Sequence, residues 1–163
     1  MKMTSYFNPG LAISVMVPED WTISQVSETK FRLFGLPESG LEEYFDEYRA
    51  TMSYEIIASP IGQLSEWFND MISGNNSLMS REYYQYLLIS EQYYESGTHP
   101  AYRKVYTWTD EETDLRLYQL QAFIYGGQNT LYLINAAVVD TFKDRYLPVF
   151  ESILESTRII PSI

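Results

Sequence analysis

Residues 115–125 and 130–139 form two long apolar runs separated only by Gly126-Gly127-Gln128-Asn129. Two strand-like runs joined by so short and glycine-rich a connection close into a β-hairpin. The pattern extends backwards, because residues 86–95 and 101–109 also read as strands, with Ser96-Gly97-Thr98-His99-Pro100 and the stretch 110–114 as connections. All three connections are rich in turn residues, so an antiparallel meander is the simplest arrangement. Pairing Tyr125 with Thr130 sets Leu117, Gln119, Gln121 and Phe123 on one face with Tyr132, Ile134, Ala136 and Val138. The other face then holds Tyr118, Leu120, Ala122 and Ile124 with Leu131, Leu133, Asn135, Ala137 and Val139. Both faces are apolar enough to require cover.

Helices are the expected cover. After Ser59 the apolar spacing changes to three and four residues, through Ile61, Leu64, Trp67, Phe68, Met71 and Ile72, with Ser59 and Pro60 at cap and first-turn positions. A second stripe, Phe142, Tyr146, Val149, Phe150, Ile153 and Leu154, predicts a helix over 141–156 with Asp140 as its cap and a kink at Pro148. Earlier in the chain, residues 11–17, 30–34 and 49–57 read as strands. Residues 36–48, with Glu38, Glu42, Glu43, Asp46 and Glu47, read as a charged loop. The expected class is α+β: one domain over residues 1–163, an antiparallel β-sheet sandwiched between helices in α-β-α order.

Composition narrows the partners. With 22 acidic against 11 basic side chains the net charge is -11, and the basic residues never run longer than two, so neither nucleic acid nor an anionic membrane is expected to bind. No apolar run is long enough to span a bilayer, and residues 1–10 lack the apolar stretch of a secretory signal, so the expected location is cytoplasmic. The absence of Cys rules out disulfides and thiolate chemistry in this chain. Fifteen Tyr, eight Phe and three Trp supply ample core, and amphipathic rings also make good protein-binding anchors.

Motifs for chemistry are sparse. His99 is the only histidine, and no G-x-S-x-G elbow accompanies it; a hydrolase built on His99 would need a deep pocket with two or more carboxylates beside it, and a turn residue next to Pro100 is the simpler reading. Asp110, Glu111, Glu112 and Asp114 crowd one connection without the spaced ligands and central Gly of a calcium loop, so they read as a solvated hairpin tip. The acids of 38–47 read the same way, with contact to a basic partner as the alternative. Gly126-Gly127 lies between strands and not at a strand-to-helix junction, so no phosphate cradle is expected. Tyr102, Arg103, Lys104, Tyr106 and Trp108 could imitate a stacking platform for single strands. On a strand, however, Tyr102, Lys104, Tyr106 and Trp108 face one way and Arg103, Val105 and Thr107 the other, which reads as a partly buried aromatic face.

Several strings resemble the PsbP-like fold group. These are ISVMVPEDW (13–21), GTHPAYR (97–103), LQAF (120–123), LYLINA (131–136), and Phe142 with YLPVFESILES (146–156). That group is shared by the extrinsic PsbP subunits of photosystem II, a Mog-type Ran-binding factor, and small bacterial proteins including type VI secretion effector chaperones. The resemblance implies an antiparallel sheet between helices and action by binding, not catalysis. FRLFGLP (31–37), followed by Ser39-Gly40, looks most like the bacterial chaperone-type members, which cradle apolar helices of a secreted effector, usually as dimers.

The expectation is therefore a non-enzymatic protein-binding accessory module. It would be an adaptor or chaperone without cofactor or metal, presenting a sheet face or groove to a protein or peptide partner and able to form a homodimer. An extrinsic photosynthetic subunit is the alternative, and a His99 hydrolase the third reading. The candidate contact residues are Tyr102, Gln119, Gln121 and Tyr132, since polar and aromatic groups on an apolar sheet can satisfy a helix or an extended peptide. Internal hydrogen bonding beneath a helix is the competing account of Gln119 and Gln121.

Overall fold

The structure, a computed structural model, describes residues 1–58, 82–127 and 130–161. The strands are β1 (Met3–Asn8), β2 (Ile13–Pro18), β3 (Thr22–Ser27), β4 (Lys30–Phe34), β5 (Thr51–Ala58), β6 (Leu87–Ser96), β7 (His99–Thr109), β8 (Arg116–Gly127), β9 (Thr130–Val139) and β10 (Arg158–Ile159). Between β9 and β10 lie a 3-10 turn, Asp140–Phe142, and helix α1, Lys143–Ser156. Seven strands form one sheet in the order β3-β4-β5-β9-β8-β7-β6, and β1-β2-β10 form a second. All pairings are antiparallel. The expected meander is therefore β6 to β9, and β5 returns to pair with β9.

Two expectations need correction. The single sheet is two sheets, and cover by helices on both faces is not what the described residues provide. One face is covered jointly by α1 and the small sheet: Ile13, Val15 and Val17 of β2 and Tyr146, Phe150, Ile153 and Leu154 of α1 share a core with Phe31, Leu33, Met52, Tyr54, Leu120 and Ile134. Alternation in β2 makes this work, since its odd-numbered residues point inward while Ser14 and Met16 point out. Among the described residues no helix lies on the opposite face, and the helix expected from Ser59 to Ile72 falls outside them. Asp140 does not cap α1 either. It opens the 3-10 turn, ion-pairs with Lys143 at 3.3 Å, and leaves Phe142 at the cap position without a side-chain bond. Pro148 sits within a continuous helix.

The hairpin register needs correction too. Tyr125 pairs with Leu131, not Thr130; Thr130 pairs with Gly127, and the register shifts between Tyr125 and Gly127. An irregularity that shifts a strand by one residue exchanges the faces of everything beyond it. Gln119, Gln121 and Phe123 thus share a face with Leu131, Leu133, Asn135 and Ala137, and Tyr132 turns to the α1 face. Glycine permits the shift at both positions. Gly127 has φ +84°, and a Cβ on Gly126 would lie 2.7 Å from the Tyr132 ring.

Candidate functional site

The face of the large sheet away from α1 has an unusual cross-section. Following the registers strand by strand, Glu91, Lys104, Gln121, Asn135, Ser53, Arg32 and Ser24 lie side by side on β6, β7, β8, β9, β5, β4 and β3. Every strand contributes a polar residue to this row. One residue away, on the α1 face, the matching row reads Val105, Leu120, Ala136, Met52, Leu33 and Ile23. At ordinary strand spacing the polar row extends roughly 29 Å across the sheet. Aromatic and apolar groups flank it: Tyr102, Phe123 and Leu133 on one side, Tyr106 and Ala137 on the other.

Burial grades along the row. Lys104 has no accessible surface and Gln121 is 7% exposed, whereas Asn135, Ser53, Arg32 and Ser24 are half-buried and Glu91 is exposed. Lys104 Nζ donates to the Tyr86 hydroxyl at 3.1 Å and lies 5.2 Å and 5.0 Å from the ring centroids of Tyr86 and Tyr106. Such an aromatic cage partly replaces the water that an ammonium loses on burial. The Tyr102 hydroxyl donates to the Glu91 carboxylate, and Trp108 Nε1 to the Gln119 carbonyl. Gln119 in turn donates to Asn135 Oδ1 at 3.4 Å. Among the described residues nothing donates to the buried Gln121 side-chain Oε1.

Burial pushes the Lys104 pKa down to about 8, against the opposing pull of the Glu91 charge. Below pH 8 folded and unfolded chains both hold the proton, and folding bears the full cost of burying it. From there up to the unfolded value of about 10.4 the unfolded chain binds more protons, so stability rises with pH. Lys104→Met should flatten that rise and raise stability near neutral pH by about 2 kcal/mol. Urea unfolding at neutral pH and at about pH 9.5 measures both effects. Wild-type stability that does not change between these conditions would contradict the reading.

Of the four contact residues expected from sequence, Tyr102, Gln119 and Gln121 share this face and Tyr132 does not. Tyr132 is 5% exposed, and its hydroxyl donates to the Leu11 carbonyl at 2.9 Å, tying the large sheet to the turn that precedes β2. No local sequence pattern marks Lys104, Asn135, Ser53 or Arg32 as contact residues. Alternation alone places Lys104 beside Tyr102 and Tyr106, but the row becomes visible only once the strand order is known.

The remaining candidates have structural surroundings. His99 opens β7 opposite Ser96, half-buried beside the Gly97 turn, so it is already in the strand and not in the loop. Among the described residues no three His, Asp or Glu side chains are grouped to hold a metal. Asp110 accepts from the Thr113 hydroxyl at 2.7 Å and through its carbonyl from the Asp114 N–H, so it holds its own loop. In the acidic loop Glu38 pairs with Arg145 and accepts from the Tyr146 hydroxyl, and Glu47 pairs with Arg49. Among the described residues no helix is long and apolar enough to cross a membrane.

No protein-family model and no curated protein matches the sequence. Solved structures do match in fold. LpqN of Mycobacterium tuberculosis, involved in cell envelope biogenesis, superposes with a TM-score of 0.70 at 12% identity, over 98% of this chain and 91% of its own. The Saccharomyces cerevisiae Ran-binding protein Mog1p gives 0.63 at 12%, over 98% and 96%. The cyanobacterial PsbP (CyanoP) of Synechocystis sp. PCC 6803 gives 0.63 at 14%, over 96% and 92%. The architecture is thus that of the PsbP- and Mog1-like fold group, as the short strings suggested. At these identities the likeness concerns the fold.

Proposed function

We propose that this chain is a non-enzymatic protein-binding accessory module, an adaptor or chaperone acting in the cytoplasm. In this reading it holds a partner segment against the polar row of its large sheet. The observation that carries it is the half-buried part of that row, where Asn135, Ser53 and Arg32 stand side by side on three neighbouring strands. Half-buried Asn135, Ser53 and Arg32 continue the row toward solvent, while Leu133 and Ala137 beside them offer apolar contact. The fold shared with the Ran-binding protein Mog1p supports a protein partner over a small-molecule substrate.

A photo-crosslinking residue at Ser53 tests this in the native cells, with Thr141, exposed next to α1, as control. A discrete crosslinked species is expected from Ser53 and not from Thr141. Identical patterns from both positions, or none from Ser53, would reject the assignment.

A further inference from the structure

The described basic side chains are nearly all engaged within the chain. Six form ion pairs with Asp or Glu. Lys104 sits among its tyrosines, and Arg116 and Arg158 donate to backbone carbonyls. Arg32 differs: among the described residues no carboxylate, carbonyl or hydroxyl accepts from it. With 22 acidic against 11 basic side chains in the sequence, this is not for want of acids. The sheet places it so. Arg32 stands on β4 directly between Ser24 of β3 and Ser53 of β5, and both neighbours are short and neutral. Glu55, two residues along β5 on the same face, is taken by Lys30 at 3.8 Å.

Charge and shape indicate what fits there. Arg32 is half-buried, so its guanidinium has given up part of its hydration without gaining a counter-ion. Its planar fork of donors matches the two oxygens of a carboxylate, and the Ser24 and Ser53 hydroxyls are further donors beside it. The flanks restrict the rest of the ligand. On one side lie Phe34, Thr51 and Ala137, and on the other the neutralised Lys30 and Glu55 pair with Leu133 beyond it. A segment lying here meets neutral and apolar surface around one positive point. The net charge of -11 disfavours a run of acids. A single carboxylate in contact feels the guanidinium directly, whereas salt screens the distant acids beyond about 8 Å.

We propose that Arg32 is the selectivity point of this surface and takes the side-chain carboxylate of one Asp or Glu in an otherwise neutral, largely apolar segment of the partner protein. This rests on the reading that a partner segment lies along the polar row, and the Ser53 photo-crosslink separates the two. Arg32→Gln, which removes the charge, should lower the yield of the Ser53 crosslinked species about tenfold. Arg32→Lys keeps the charge but not the fork and should fall between Arg32→Gln and the wild type. Since Arg32 has no partner in the free chain, the urea midpoint of Arg32→Gln should match the wild type, which a structural role would lower. A carbodiimide joins a lysine amine to a carboxylate as an amide, itself taking up the water released, and cannot use arginine. Arg32→Lys should therefore gain a carbodiimide crosslink, absent from the wild type, to an Asp or Glu of the segment captured at Ser53. Failure of Ser53 to capture anything would remove the docking surface and this proposal with it. Capture indifferent to Arg32→Gln, a lowered urea midpoint, or a captured segment bearing phosphate and no carboxylate would overturn the Arg32 assignment alone.

Discussion

Raising the pH from about 10 to about 12 is expected to unfold this chain cooperatively, with a burst of tyrosine ionisation as the core opens. Tyr54 and Tyr106 have no accessible surface, and Tyr102, Tyr118, Tyr132 and Tyr146 are under a tenth exposed. Burial pushes the pKa of all six above the ordinary value, further helped at Tyr102 by Glu91 and at Tyr146 by Glu38. The folded chain therefore keeps these protons while the unfolded chain begins to lose them near pH 10. The stability they contribute is complete below pH 10 and is lost as pH climbs toward the raised values. For Tyr54 and Tyr106 each pH unit above 10 costs about 1.4 kcal/mol, and the other four add in the same direction. A domain stable by about 5–15 kcal/mol cannot withstand this for long. Phenolate absorbance followed together with far-ultraviolet circular dichroism checks it. Gradual ionisation that precedes the loss of secondary structure would refute the account.

Phe31→Ala is expected to be the most damaging single truncation in the described core, at about 3–5 kcal/mol. Phe31 has no accessible surface; its ring stacks on Tyr54 at 4.9 Å and meets the edge of Tyr6 at 5.1 Å. Through these partners it joins the two sheets and the end of α1, because Tyr6 belongs to β1 and the Tyr54 hydroxyl bonds Thr157 at 2.7 Å. Removing the ring leaves a void against three elements that cannot all close in on it. Phe31→Leu, which keeps most of the volume, should cost about 1 kcal/mol. Urea midpoints of the two variants measure the difference, and equal losses would show that the ring stack contributes little.

Much of this architecture could be read from local pattern. The runs leading to β2, β4, β5 and β6 to β9, and the stripe of α1, announce themselves because alternation and three-to-four spacing are properties of neighbours in the chain. β1, β3 and β10 escaped because they are short and polar; six residues such as MTSYFN become a strand only when β2 is there to pair with them. The hairpin register escaped for a related reason. Two glycines permit a turn or a shifted ladder equally well, and only the packing of Tyr132 beside Gly126 decides between them.

The candidate site divides along the same line. By itself the sequence determined that Tyr102, Lys104, Tyr106 and Trp108 share a face, that the chain is acidic and that it lacks cysteine. Only the tertiary structure decided that Lys104 stands next to Gln121, Asn135, Ser53 and Arg32, and that Tyr132 does not belong with them. A row across a sheet is assembled from residues far apart in the chain, one per strand. Its existence depends on strand order and register, which long-range pairing sets and no local pattern records.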